Sequence, residues 1–198
     1  MMLFLIVVFG LMAALVVWAI AVHNGLVGGR NAFRNAFAQI DVQLTRRYDL
    51  IPNLVETAKA YLAHERETLE AVTRARAGAL AGLGAAKAAP GDAAAMAQLA
   101  GAEGQLAGAL SRLMVSVEAY PELKASANMQ QLTEELTTTE NRIAFARQAY
   151  NDAVMAYNNR REMFPGSMIA VQFDFRPAAL LEIDAADGHK RDAPRVQF

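Results

Sequence analysis

The sequence predicts an all-α protein: one amino-terminal transmembrane helix, an antiparallel bundle of long helices, and a short extended carboxyl-terminal tail. Three observations carry this expectation. The first 22 residues, MMLFLIVVFGLMAALVVWAIAV, hold no charged side chain. Met129, Leu136, Ile143, Tyr150, Tyr157 and Phe164 recur every seven residues, the spacing of a seam that packs against other helices at shallow angles. Alanine is abundant and proline sparse, with 6 prolines in 198 residues, a composition that favours helix over sheet.

Residues 1–22 are read as an anchor. As a helix they would be roughly 33 Å long, enough to cross a hydrocarbon core of about 30 Å. Trp18 sits where an interfacial aromatic belongs. A cleaved signal peptide is the competing reading, since Ala19-Ile20-Ala21 resembles a cleavage site. Against it, no basic residue precedes the apolar run, and the run exceeds a signal-peptide core. Arg30, Arg34, Arg46 and Arg47 all follow the span, which orients the amino end outward and the remaining chain toward the cytoplasm. Residues 23–31, HNGLVGGRN, form a juxtamembrane linker whose paired glycines predict a swivel.

The bundle domain is expected over residues 32–176. Phe33, Phe37, Ile40, Leu44, Tyr48 and Ile51 form one apolar stripe at helical spacing. The pattern resumes after Pro52 and runs through Ala58, Leu69 and Val72. Residues 77–92, AGALAGLGAAKAAPGD, predict a frayed helix end and a flexible loop. Asp92 is a candidate cap for a third helix bearing Met96, Leu99, Leu106, Leu110 and Leu113 on one face. Pro121 breaks that helix, and Asn128 with Gln131 resembles a capping box for the last one. Near the end, MIAVQFDF is either a short strand or an extended arm laid over the bundle. Residues 177–198 are polar and predict a disordered tail.

In the first bundle helix, QLTRRYDLIPNLV, residues 43–55, sets two adjacent arginines, an aspartate and a proline within helix-forming sequence. Pro52 lacks an amide hydrogen and disfavours helical angles at Ile51. The stretch therefore predicts a kink or break, with Arg46 and Arg47 closing one helix and Asp49 capping the next. The alternative is a partner-binding patch that includes Asn53. A second cluster lies on the last helix: Glu140, Asn141, Arg147, Tyr150, Asn151, Tyr157 and Asn158. Buried tyrosine and asparagine require hydrogen-bond partners, and Asp41 and Arg47 are candidates if the two helices pair. This cluster is either a register-fixing polar network or a recognition surface.

Other chemistries find little support. A net charge of -1 gives no electrostatic reason for nucleic-acid binding. Cysteine is absent, which excludes disulfides, thiol nucleophiles, cysteine zinc sites and a lipid-modified cysteine. His64-Glu65 begins like a zinc-protease helix, but Thr68 stands where the second histidine belongs. Glu134, Glu135 and Glu140 lack the Glu-x-x-His companions of a bundle metal site. No catalytic residue, cofactor or metal is therefore expected.

Two long segments carry a family resemblance. IDVQLTRRYDLIPNLVETAKAYLAHERETLEAVTRARA, residues 40–77, and YPELKASANMQQLTEELTTTENRIAFARQAYNDAVMAYNNRREMFPGSMIA, residues 120–170, resemble the LemA family. With the anchor they stand in the family's order; the alanine-rich middle and the tail after Ala170 depart from it. The resemblance implies a bacterial inner-membrane protein with a cytoplasmic bundle of long helices, and supplies no reaction or ligand. Some members are encoded near membrane-associated proteases or small envelope proteins. The expectation is thus a non-enzymatic, membrane-anchored adaptor, with an envelope protein such as a protease or its client as partner, in membrane-protein quality control. A self-assembling membrane scaffold is the alternative, and an enzyme or metal-binding bundle the remote one.

Overall fold

The computed structural model describes residues 1–62 and 65–183. Among the described residues six helices follow one another: α1 Met2–Lys59, α2 Arg66–Ala88, α3 Ala93–Ala119, α4 Pro121–Lys124, α5 Ala127–Glu162 and α6 Gly166–Gln172. No strand occurs among the described residues, so the strand reading of residues 168–175 falls away. Met168 to Gln172 are helical, and the extended arm begins beyond them.

The carboxyl-terminal part of α1 and the long helices α2, α3 and α5 form an up-down-up-down bundle. Contacts fix the directions. Gly29 of α1 faces Tyr157 of α5, and Arg47 faces Glu140, so these helices are antiparallel. Arg76 of α2 reaches Tyr48, and Lys87 reaches Asp41, so α2 runs back along α1. Gly82 of α2 lies against Leu99 of α3. The core is the predicted stripes brought together: Phe37, Ile40, Leu44, Ile51, Leu99, Leu106, Leu113, Tyr150 and Tyr157 are all buried.

Residues 2 to about 21 project from the bundle, exposed almost throughout. This is the one described helix long and apolar enough to cross a membrane, and its apolar window is wholly unburied. The expected swivel at residues 23–31 is corrected: α1 passes through it unbroken. Leu26 and Gly29 are buried. A Cβ on Gly29 would lie 3.3 Å from the Tyr157 ring, so this glycine admits a neighbouring helix rather than loosening its own.

Two further expectations change. Residues 77–88 belong to α2. Their small side chains let α3 approach closely: a Cβ at Gly82 would stand 3.2 Å from the Leu99 backbone, and interaxial distance shrinks with side-chain size. The turn comes at Gly91, whose φ of 87° suits glycine. The N-cap of α5 is Ser126 without a side-chain cap bond, so Asn128 and Gln131 lie inside the helix. Asp92 does cap α3, its Oδ1 accepting from the Ala95 amide at 2.9 Å. Pro121 separates α3 from α4 as expected, at a permitted first-turn position.

Candidate functional site

The joint expected at residues 43–55 resolves differently. α1 continues through Pro52, so Asp49 is an exposed mid-helix residue and not a cap. Arg46 and Arg47 do not close a helix either. Pro52 deprives the Tyr48 carbonyl, four residues back, of its normal donor. Arg76 of α2 replaces it: its Nε donates to the Tyr48 carbonyl at 2.6 Å. The helix stays continuous because a neighbouring helix satisfies the acceptor that proline leaves open. Arg76→Leu is therefore expected to destabilise the chain by about 1–3 kcal/mol, the usual loss for a stranded buried acceptor. In a Pro52→Ala background the restored amide should remove most of that loss. Chemical denaturation of the four-variant cycle measures this coupling.

Beside this joint lies a buried ionic cluster. Arg47 is 3% exposed. Its guanidinium donates to Glu103 of α3 through Nη2, and to Glu140 of α5 through Nη1 at 2.7 Å. The Tyr48 hydroxyl donates to the other Glu103 oxygen. One planar cation thus ties three helices, as its forked geometry allows. Burial pushes the Tyr48 phenol up to about 12, against the opposing pull of Arg47. Arg47 is consequently no part of a surface patch. Asp41 faces α2 rather than α5, pairing with Lys87 at 2.9 Å. Arg46 is exposed, 3.9 Å from Glu135, and Asn53 and Asn141 are exposed. The structure therefore disperses the first patch and keeps Arg47 and Glu140 together.

The polar residues of α5 near its carboxyl end do converge, on a segment read from sequence as arm and tail. Residues 175–183 run antiparallel to α5, held chiefly by their main chain. Asn158 takes both polar groups of Ala178, its Nδ2 donating to the carbonyl at 2.8 Å and its Oδ1 accepting from the amide at 3.0 Å. Asn151 does the same at Leu181, at 3.4 and 2.9 Å. The Tyr157 hydroxyl donates to the Arg176 carbonyl at 2.7 Å, and the Tyr150 hydroxyl to the Ala179 carbonyl at 2.8 Å. Arg161 reaches the Phe175 carbonyl at 2.8 Å, and Arg147 the Ile183 carbonyl at 3.4 Å. From the other side, the Ala179 amide donates to the Gly91 carbonyl at 2.8 Å.

The spacing has a simple origin. Asn151 and Asn158 are one heptad apart, as are Tyr150 and Tyr157. Each pair grips points three residues apart on the tail. A heptad of α-helix rises about 10.5 Å, and three residues of extended or polyproline-II chain rise about 9–10 Å. One repeat of the helix therefore matches three residues of extended chain. Phe175, Ala178 and Leu181 are buried at the same three-residue interval, while Arg176, Pro177 and Glu182 face outward.

Tyr150 is pushed up to about 12 by burial, and Tyr157 is raised by burial against three nearby arginines. The protonated phenol is thus favoured in the folded state, and its contribution is complete below the ordinary tyrosine pKa near 10. It is lost as pH rises toward about 12. Tail attachment is expected to weaken across that window, and Tyr150→Phe should flatten its pH dependence. Hydrogen exchange is too fast to resolve there, so fluorescence of a label near residue 183 is the suitable readout.

Glu103, Arg76 and Arg161 were not singled out from sequence. A signal existed for two of them. Glu103 falls between Leu99 and Leu106 on the apolar stripe of α3, and Arg76 between Val72 and Ala79 on that of α2. A charge inside a stripe announces a buried partner. The disordered-tail reading is corrected for residues 177–183; residues 184–198, and with them His189, lie outside the described residues, as does His64.

A family model described as the LemA family matches residues 36–198. The match spans most of the chain. It begins beyond the apolar segment and includes both the alanine-rich middle and the tail. No curated protein matches.

Proposed function

We propose that this chain, which belongs to the LemA family, is a membrane-anchored, non-enzymatic adaptor whose α5 face binds extended peptide chain. The observation that carries this reading is the paired-amide grip of Asn151 and Asn158 on Ala178 and Leu181. A side-chain amide that satisfies both polar groups of one residue recognises main chain, and main chain is common to every extended segment. Specificity is left to side chains at every third position, where the groove accepts Phe175, Ala178 and Leu181. The chain's own tail occupies the face and is its built-in ligand; an envelope protein with an exposed extended segment competes for the same groups. The uncharged helix at the amino end holds the bundle at the inner membrane, and the arginines that follow it favour a cytoplasmic bundle. A membrane protease or one of its clients would fit such a role in quality control.

The test places a photoreactive residue at Met155, half exposed and on the same face of α5 as Asn151 and Asn158. The full chain is irradiated in native membranes. A heterologous adduct that an excess of peptide spanning residues 173–183 suppresses supports the adaptor. Adducts confined to the chain's own tail make the clamp a structural strap. A regular ladder of copies makes the protein a self-assembling scaffold instead.

A further inference from the structure

We propose that α6 and the turn before it form a second membrane contact, a pad that lies in the interfacial layer of the bilayer. The inference rests on the reading of residues 1–22 as a membrane span. Met163, Phe164, Met168, Val171 and Phe173 are each between 56% and 86% exposed. Large apolar side chains gathered on one surface mark an interaction site, whereas scattered ones are ordinary. The other exposed apolar residues of the bundle, such as Val42, Val115 and Phe145, are scattered along different helices.

The location of the pad indicates what covers it. Gly166 and Ala170 bury the inner face of α6 against the bundle, where it packs on α1 and α5. A Cβ at Gly166 would collide with the Arg160 carbonyl, so the chain folds back tightly at the end of α5. The outer face then stands beside the point where α1 leaves the bundle. Phe173 lies 4.9 Å from His23, ring to ring, and Phe175 lies 5.3 Å from it. His23 follows directly on the last apolar residue of the span. A residue rises about 1.5 Å along a helix, so the pad sits within a few ångströms of the depth at which the span meets water. An apolar surface held at that depth, beside a spanning helix, is presented to the headgroup–acyl boundary of the same bilayer.

Charge at this end is mixed: Arg160 is exposed, while Arg176 pairs with Asp174 at 3.2 Å and Arg161 with Glu162 at 3.5 Å, so the pad rests on its apolar side chains and not on a basic patch. The membrane contact would thus be two-part: α1 fixes the protein to the bilayer, and α6 fixes the tilt of the bundle over it. The tail leaves α6 directly, so the pad also sets where the α5 clamp faces.

The absence of cysteine allows single nitroxide labels to be introduced without background. The full chain carries Met168→Cys, Val171→Cys, Val115→Cys or Leu11→Cys, in phosphatidylcholine nanodiscs with and without phosphatidylglycerol. The expected result is severalfold lower collision with a water-soluble nickel relaxant at Met168 and Val171 than at Val115, with raised oxygen accessibility. Equal nickel accessibility at all three, with Leu11 still shielded by lipid, overturns the pad and leaves the anchor standing. Leu11 as accessible as Val115 overturns the anchor, and the pad with it.

Discussion

Arg47→Met is expected to destabilise the chain by about 3–5 kcal/mol, the range for removing one partner of a buried ion pair. For a domain of this size that is a fall in melting temperature of roughly 10 °C. The loss comes less from the missing contact than from what remains. Glu103 is 1% exposed; without the guanidinium its carboxylate has only the Tyr48 hydroxyl. The double substitution Arg47→Met with Glu103→Leu should recover most of the stability, because both buried charges then leave together. Arg47→Lys should not rescue. An ammonium is a point donor, and here the Nη1 and Nη2 positions address carboxylates on different helices. Thermal denaturation of the full chain in detergent, with the double-mutant cycle, measures all three. A loss below about 1 kcal/mol for Arg47→Met would place the cluster with solvated surface pairs.

The second large effect concerns the tail. Asn158→Ala and Asn151→Ala each remove two main-chain hydrogen bonds and strand an amide and a carbonyl in a half-buried groove. A local loss of about 2 kcal/mol for each is expected. This corresponds to roughly a 30-fold fall in protection of the Ala178 and Leu181 amides. The two losses should reinforce each other, because the tail detaches as a unit. Asn158→Asp separates the two bonds: it keeps an acceptor for the Ala178 amide and sets a carboxylate against the carbonyl. Asn141→Ala, at an exposed position of the same helix, should change protection little. Hydrogen exchange at neutral pH resolves these differences, since global unfolding lies well above them.

How much of this was legible in the sequence follows from the range of each interaction. The long apolar amino-terminal helix, the apolar stripes and the Pro121 break are local patterns, and all three stand in the structure. The heptad seam was equally plain, and Tyr150 and Tyr157 lie on it, buried as expected; Phe164, its predicted last member, is exposed because α5 ends at Glu162. Pro52 misled because its local effect is real while its remedy is distant. The donor that keeps α1 continuous comes from Arg76, 28 positions beyond the Tyr48 carbonyl it serves. Residues 77–88 misled because glycine and alanine signal flexibility by composition, yet here they permit close helix packing. The polar cluster of α5 was visible as a set, though its partner was not. FRPAALLEI shows neither the 2 of a strand nor the alternating three and four of an α-helix; its buried positions recur at a strict three, the repeat of polyproline-II chain. A seven-residue repeat facing a three-residue repeat becomes apparent only when the two segments lie side by side.

The central claim is that α5 binds main chain and that its present occupant is exchangeable. The most direct measurement is binding of a fluorescent peptide spanning residues 173–183 to the purified full chain in nanodiscs, followed by anisotropy. Saturable binding accompanied by release of the chain's own tail, and abolished by Asn151→Ala with Asn158→Ala, is the expected result. Failure to bind even when those residues are intact and the tail has been detached by Phe175→Ala and Leu181→Ala would contradict it and leave the segment as a fixed strap of the bundle.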